Sequence, residues 1–335
     1  MIKEEENPEF LNDFLAYSST ILNKSENTIK EYNYHLAHFL KYILFKYKLT
    51  DIKDEESIKE IKINNFTMET LSKITLPDIH AFLAYLKSCY NSKPATLARK
   101  TAAIRIFFNY MCNKTKRLPK NPAQDLESPK IGKRLPKYLT LDQSKKLLET
   151  VKNIENTTGH GNHDNSERNF AMVTILLNCG VRLQELINMN ISDIDFENNK
   201  LNVIGKGNKE RTIYLNKACV KAIKAYLEVR PRDKVKNSSK DALFLSEQKQ
   251  RISRRTVQYI VKQELELAGI EKAKTYSVHK LRHTAATLMY KYGDVDIRAL
   301  QELLGHESIS TTEIYTHVDS DQIREAVENN PLADM

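Results

Sequence analysis

Apolar residues recur at helical spacing from the start of the chain. Phe10, Phe14, Tyr17 and Ile21 predict one helix, and Ser25 caps a second whose inner face is Ile29, Tyr32, Leu36, Phe39 and Ile43. Leu76-Pro77-Asp78 opens a third, through Ile79, Phe82, Leu83 and Leu86. Pro94 lies in the first turn of a fourth, which turns Leu97, Thr101, Ile104, Phe108 and Met111 inward and Arg99, Lys100 and Arg105 to other faces. Between the second and third helices, residues 51–65 form a charged insertion. After Leu118-Pro119-Lys120-Asn121-Pro122, the proline- and lysine-rich stretch to Pro136 reads as an extended linker.

The pattern changes in the second half. Thr140-Leu141-Asp142 caps a helix, and a polar loop is expected over 156–167. Leu201-Asn202-Val203-Ile204 and Arg211-Thr212-Ile213-Tyr214-Leu215 alternate like strands, with Asp195-Phe196 as a third. Gly205-Lys206-Gly207-Asn208 supplies the turn, so Lys206 is expected at a mobile hairpin tip. A helix running to Tyr290 carries His279 and Arg282 three residues apart, on one face. Gly305 follows Ile297, Leu300, Leu303 and Leu304 as a helix C-cap, and Ser310 with Glu313 forms a capping box opening the helix of Tyr315. Asp321–Val327 puts Ile323, Ala326 and Val327 on one face of a tail helix too short to persist without packing. The pattern predicts a mainly α fold with a small antiparallel β-sheet.

Charge adds a partner class. The 335 residues carry a formal net charge of +9, and residues 79–124 contain nine lysines and arginines and no acid. A one-signed stretch in folded-looking sequence suits a surface that tracks phosphates. Cys89, Cys112, Cys179 and Cys219 are isolated and read as reduced, buried thiols in a cytoplasmic protein. His160, His163 and Asp164 lie in the polar loop without a further ligand nearby, so no metal site is expected. The N-terminus lacks the apolar core of a signal peptide, no run approaches the length of a membrane span, and no glycine loop of a nucleotide cofactor is present.

Six polar residues carry candidate chemistry: Arg182 in Gly-Val-Arg-Leu-Gln-Glu-Leu, Lys206 in Gly-Lys-Gly-Asn-Lys-Glu-Arg, His279 and Arg282 in His-Lys-Leu-Arg-His, His306 in Leu-Gly-His, and Tyr315 in Thr-Thr-Glu-Ile-Tyr-Thr-His. In this order and over this length the set resembles the tyrosine recombinase family, in its Xer-like, two-domain form. Attack on a phosphodiester adds charge to an already anionic centre, and arginine forks aimed at its oxygens stabilise that state. The resemblance gives this role to Arg182 and Arg282, with His279 and His306 adding hydrogen bonds or moving protons. It makes Tyr315 the nucleophile that leaves a 3′-phosphotyrosyl link, and Lys206 the acid protonating the 5′-oxygen. Glu185, one turn after Arg182, is expected to orient a catalytic arginine or histidine. His283 and His317 read as structural neighbours. The phosphotyrosine conserves the energy of the broken bond and the cations stand in for a metal, so neither cofactor nor metal is implied.

The resemblance also implies an organisation. Residues 1–117 would be a helical, SAM-like core-binding domain, 118–136 a linker letting two domains close on DNA, 137–320 a mixed α+β catalytic domain, and 321–335 a tail docking on a neighbouring subunit. Lys93, Thr96, Arg99, Lys100 and Arg105 become DNA-contact candidates. The partner would be double-stranded DNA at a palindrome-like core site, bound by a homotetramer or a heterotetramer with a related recombinase. Phage-type integrases usually carry a further N-terminal domain, for which the helices beginning near Pro8 leave no room. Chromosome dimer resolution is thus the first expectation, with mobile-element integration or excision as its alternative. A type IB topoisomerase shares the chemistry but not the spacing, and a non-catalytic DNA-binding protein would not need the intact set.

Overall fold

A computed structural model describes residues 6–132, 137–158, 163–204, 210–293 and 295–305. The chain divides into two compact units, Met1–Lys133 and Arg134–Met335. The first contains α1 (Glu9–Thr20), α2 (Glu26–Lys46), α3 (Met68–Ser72), α4 (Leu76–Tyr90) and α5 (Pro94–Asn109), which runs into a π turn at Tyr110–Lys114. The foreseen stripes meet in one core, with Phe14, Phe39, Phe82, Phe107 and Phe108 shut off from solvent. Phe14 meets Phe107 edge-on at 5.4 Å between ring centroids, and Phe39 meets Phe82 at 5.2 Å, the geometry the ring quadrupole favours. Asp78 fixes the start of α4: its Oδ2 accepts from the Thr75 amide at 2.8 Å and from the Tyr47 hydroxyl at 2.9 Å.

Three expectations for this unit need correction. Ile21 is exposed, because α1 stops at Thr20 and leaves it as the C-cap beyond the buried stripe. The insertion is more than a charged excursion. It holds a 3-10 turn at Glu56–Glu60, and Ile58, Ile61 and Ile63 join the core with Phe66. Cys89 is exposed and donates its thiol to Glu55, so only Cys179 and Cys219 are the buried thiols expected.

The second unit contains α6 (Leu141–Thr158), α7 (His163–Cys179), α8 (Leu183–Asn188), β1 (Ile194–Asp195), β2 (Lys200–Ile204), β3 (Glu210–Tyr214), α9 (Lys217–Val229), α10 (Arg254–Leu267), α11 (Val278–Tyr292) and α12 (Ile297–Leu304). Helix α7 packs against α6, α9 and α11, and its Ala171, Met172, Val173, Ile175 and Leu176 are fully buried. Most of the expected loop over 156–167 is helix at the ends of α6 and α7. Adding a residue to a formed helix is far easier than nucleating one, and this stretch holds no proline to stop it.

The sheet is antiparallel in the order β1-β2-β3. Its register pairs Leu201 with Ile213 and Val203 with Arg211. Directly opposed residues share a face, so Leu201, Val203 and Ile213 point into the core and Arg211 points the same way. On the other face the Thr212 hydroxyl donates to Asn202 Oδ1 at 3.1 Å.

Candidate active site

Gly180 turns the chain out of α7 with φ +59°, and a Cβ there would lie 3.1 Å from Leu304 Cδ2. This left-handed step suits glycine and delivers Arg182 to the N-cap of α8. Glu185, in the first turn of α8, reaches back. Its Oε2 accepts from the Arg182 amide at 2.7 Å and its Oε1 from Arg182 Nη1 at 2.8 Å. The Arg211 fork grips the same carboxylate, Nη2 to Oε2 at 2.8 Å and Nε to Oε1 at 3.3 Å. Burial pushes the Glu185 carboxyl up; the bonds and charge of Arg211, then of Arg182, outweigh this and hold it below its usual value. A carboxylate only 2% exposed therefore stays ionised between two guanidiniums.

Arg282 enters from α11. Its Nη1 donates to the Gly180 carbonyl at 2.7 Å and its Nη2 to the Leu304 carbonyl at 2.6 Å. Arg211 Nη1 donates to the Leu303 carbonyl and Arg182 Nη2 to that of Gly305. Three arginines thus take three consecutive carbonyls at the C-terminal end of α12, where the helix presents partial negative charge. Gly305 closes α12 in the left-handed conformation foreseen for it, φ +63°, and a Cβ there would come within 3.0 Å of Arg211 Cδ.

A cleft of about 390 Å³ opens beside this network, lined by Arg182, His279 and Arg282 together with Ser277 and Gln258. The Nε2 atoms of His279 and His283 lie 3.1 Å apart, so one ring donates and the other accepts. Burial, Arg282 and Arg182 lower the His279 pKa. Burial and the cations around it, His279 first, bring that of His283 down to about 4. Both imidazoles are then neutral at pH 7, and in their shared hydrogen bond one Nε2 carries a proton and the other does not.

The structure therefore brings together Arg182, Glu185, His279 and Arg282. Lys206, His306, Tyr315, the capping pair Ser310 and Glu313, and the tail lie outside the described residues. Sequence reasoning passed over Arg211, which the structure adds to the Glu185 network, while His283, read as a structural neighbour, lies against His279. A signal for Arg211 was present: in an alternating strand it occupies an inward position, in phase with Ile213, where an apolar residue is the norm.

The DNA-contact candidates divide. Lys93 is exposed at the N-cap of α5, Arg99 and Arg105 are exposed on the helix, and Thr96 is half-buried. Lys100 is a correction, because it is only 4% exposed. Its ammonium lies 5.1 Å from the Tyr34 ring centroid and 6.0 Å from that of Phe82, has no hydrogen-bond partner, and is brought by burial down to about 8. Position 100 is three after Leu97 and four before Ile104, which places it on the buried stripe of α5. Among the described residues, no cluster of His, Cys, Asp or Glu could hold a metal ion, and no helix is long and apolar enough to cross a membrane.

Comparison with known proteins settles the family. Residues 137–322 match the model of the phage integrase family. The tyrosine recombinase XerC of Caldanaerobacter subterraneus subsp. tengcongensis is 49% identical over 326 residues, covering 97% of this chain and 88% of that protein. This chain belongs to the tyrosine recombinases of the phage integrase family. The XerD recombinase of Listeria innocua serovar 6a is 34% identical over 311 residues, covering 92% of this chain and 94% of its own. A solved structure of the XerH site-specific recombinase, bound to a palindromic difH substrate after cleavage, shares the fold with a TM-score of 0.67 at 22% identity, covering 98% of each chain. The chain is a Xer-type recombinase, an enzyme of DNA recombination.

Proposed function

We propose that this recombinase cuts and rejoins double-stranded DNA at a palindrome-like core site, with Tyr315 as nucleophile, and resolves chromosome dimers. The observation that carries the chemistry is the convergence of Arg182, His279 and Arg282 on one cleft. Two guanidiniums and a neutral imidazole donor form a receptor for an oxyanion whose charge grows at phosphorus. Tyr315 would form the bond from its phenolic oxygen to phosphorus as the bond to the 5′-oxygen breaks. The phenolic proton would leave through His306, and Lys206 would protonate the departing oxygen. The reverse attack by the 5′-hydroxyl of the partner strand would release Tyr315 and, by way of a Holliday junction, join new strands. Nothing is hydrolysed, so no energy source is consumed.

Residues 1–117 would supply the core-binding domain, 118–136 the linker and 137–320 the catalytic domain. Residues 321–335 would dock on the next subunit of a DNA-bound tetramer, made of one protein or of two related ones, in the cytoplasm. Xer relatives matching nearly the whole chain favour dimer resolution over mobile-element integration.

A nicked suicide substrate, from which the cut strand diffuses away, tests the reaction. The wild-type protein should accumulate a covalent DNA adduct, seen as a shifted band on a denaturing gel. Tyr315→Phe should bind the same duplex with unchanged affinity and form none. An adduct with Tyr315→Phe would transfer the role to another tyrosine.

A further inference from the structure

We propose that Arg211 is a positioning residue for strand cleavage: it balances the buried charge of Glu185 so that the Arg182 guanidinium keeps its cation for the DNA phosphate. This rests on the proposed role of Arg182 and extends it to a residue outside the cleft lining. Arg182 and Arg211 share the one carboxylate of Glu185 at 2.8 Å each. Two cations and one anion leave a single net positive charge. Without Arg211 the set sums to zero, and Arg182 becomes the counter-ion of a carboxylate that water cannot reach.

The geometry divides the labour. Arg211 sets its Nε and Nη2 on the two carboxylate oxygens, the paired-donor arrangement that fixes a carboxylate in plane. It is also the more enclosed of the two, with 14% of its side chain exposed against 32% for Arg182. Arg182 gives Glu185 one guanidinium nitrogen and the Gly305 carbonyl another, and it reaches the cleft that His279 and Arg282 line. Arg211 is absent from that lining and spends its remaining nitrogen, Nη1, on the Leu303 carbonyl. One arginine is committed to Glu185 and the backbone of α12, while the other faces the place a phosphate would take. The lowered pKa of Glu185, in which Arg211 outweighs Arg182, agrees with that division.

Charge rescue tests this. Single-turnover adduct formation at saturating DNA would be measured for wild type, Arg211→Met, Arg211→Lys and the double variant Glu185→Gln/Arg211→Met. Arg211→Met should slow cleavage by about 100-fold, the effect of losing one transition-state donor. Restoring the charge with lysine, or removing the unbalanced one with Glu185→Gln, should each recover at least about tenfold. A purely structural arginine predicts instead that the double variant is no better than Arg211→Met, and that outcome overturns the inference. Should Arg211→Met fail to fold, the double variant carries the test, since it buries no unbalanced charge; a folded but inactive double variant also overturns it. Absence of any adduct with the wild-type protein would overturn the proposed function instead. The inference would then be read from inorganic phosphate binding by ³¹P line broadening, expected to be weaker for Arg211→Met than for wild type or the double variant; equal binding by all three rejects it.

Discussion

Lys100 in the first unit and Arg282 in the second are both cations withdrawn from water, at 4% and 3% exposure, and their surroundings treat them in opposite ways. Arg282 is hydrogen-bonded to the Gly180 and Leu304 carbonyls. A planar fork can satisfy two acceptors at once and does not surrender its proton. Lys100 faces the Tyr34 and Phe82 rings, next to two histidines that are themselves without hydrogen-bond partners, His35 at both ring nitrogens and His38 at Nε2. Burial brings the lysine down to about 8, and burial together with the Lys100 charge brings each histidine down to about 4. A buried cation thus keeps its charge where partners were built for it, and opposes folding where they were not.

The largest effect that sharpens this contrast is expected at Arg282. Lysine cannot bridge two carbonyls in fixed directions, so Arg282→Lys keeps the charge and loses the geometry. Cleavage should fall by roughly 10²–10³-fold, and unfolding free energy by roughly 2 kcal/mol for a charged hydrogen bond lost in the interior. Single-turnover cleavage and urea denaturation measure the two. Near wild-type cleavage by Arg282→Lys would mean that charge alone suffices at this position.

The opposite sign is expected at Lys100. A lysine held near pKa 8 when folded and near 10.5 when unfolded opposes folding by on the order of 3 kcal/mol below pH 8. The two aromatic rings offset up to about 2 kcal/mol of this. Lys100→Met should therefore raise stability by roughly 1 kcal/mol at pH 7. Between pH 8 and 10.5 the unfolded chain holds more protons than the folded one, so wild-type stability rises with pH and the advantage of the methionine should shrink. The same linkage runs through acid for the histidines. Their folded values near 4 lie below the ordinary 6.5, so the unfolded chain takes up protons first and stability falls as pH drops from 6.5 towards 4. Thermal unfolding of the whole chain across these windows reads both. A less stable Lys100→Met at pH 7 would show that the aromatic contacts outweigh the burial.

This pair of cations also marks what the sequence could disclose. Helical spacing was enough for α2 and α4, because large apolar residues make up most of their inner faces. Charge was misleading at Lys100, which was grouped with Arg99 although its spacing from Leu97 and Ile104 put it on the inner stripe. The motifs around Arg182 and His279–Arg282 named residues that line one cleft, having been chosen because their types and order resemble those of a phosphate site. Arg211 lay beside the Lys206 motif and went unassigned, because its role depends on Glu185 and on the Leu303 carbonyl, 92 residues away. Short α3, capped by Thr67 through the Thr70 amide, and the folded insertion escaped notice for a related reason. Their few apolar residues gain meaning only against a core assembled from elsewhere.

The smallest effect separates exposed cations from the buried one on the same helix. Arg99 and Arg105 stand exposed on α5, and Lys100 does not. Each exposed arginine that neutralises a DNA phosphate releases condensed counter-ions, so its removal should flatten the plot of log affinity against log salt by about one unit. Arg99→Gln and Arg105→Gln should each do so, and the double variant should lose about two units. Lys100→Met should leave the slope unchanged, since a side chain packed over Tyr34 and Phe82 displaces no counter-ion. Fluorescence anisotropy of a labelled core-site duplex, titrated at several potassium chloride concentrations, distinguishes the cases without requiring cleavage. A slope that drops with Lys100→Met would mean that the lysine leaves its aromatic site when DNA arrives. The energy of its burial would then be released into binding, and the division between the two kinds of cation would hold only for the free protein.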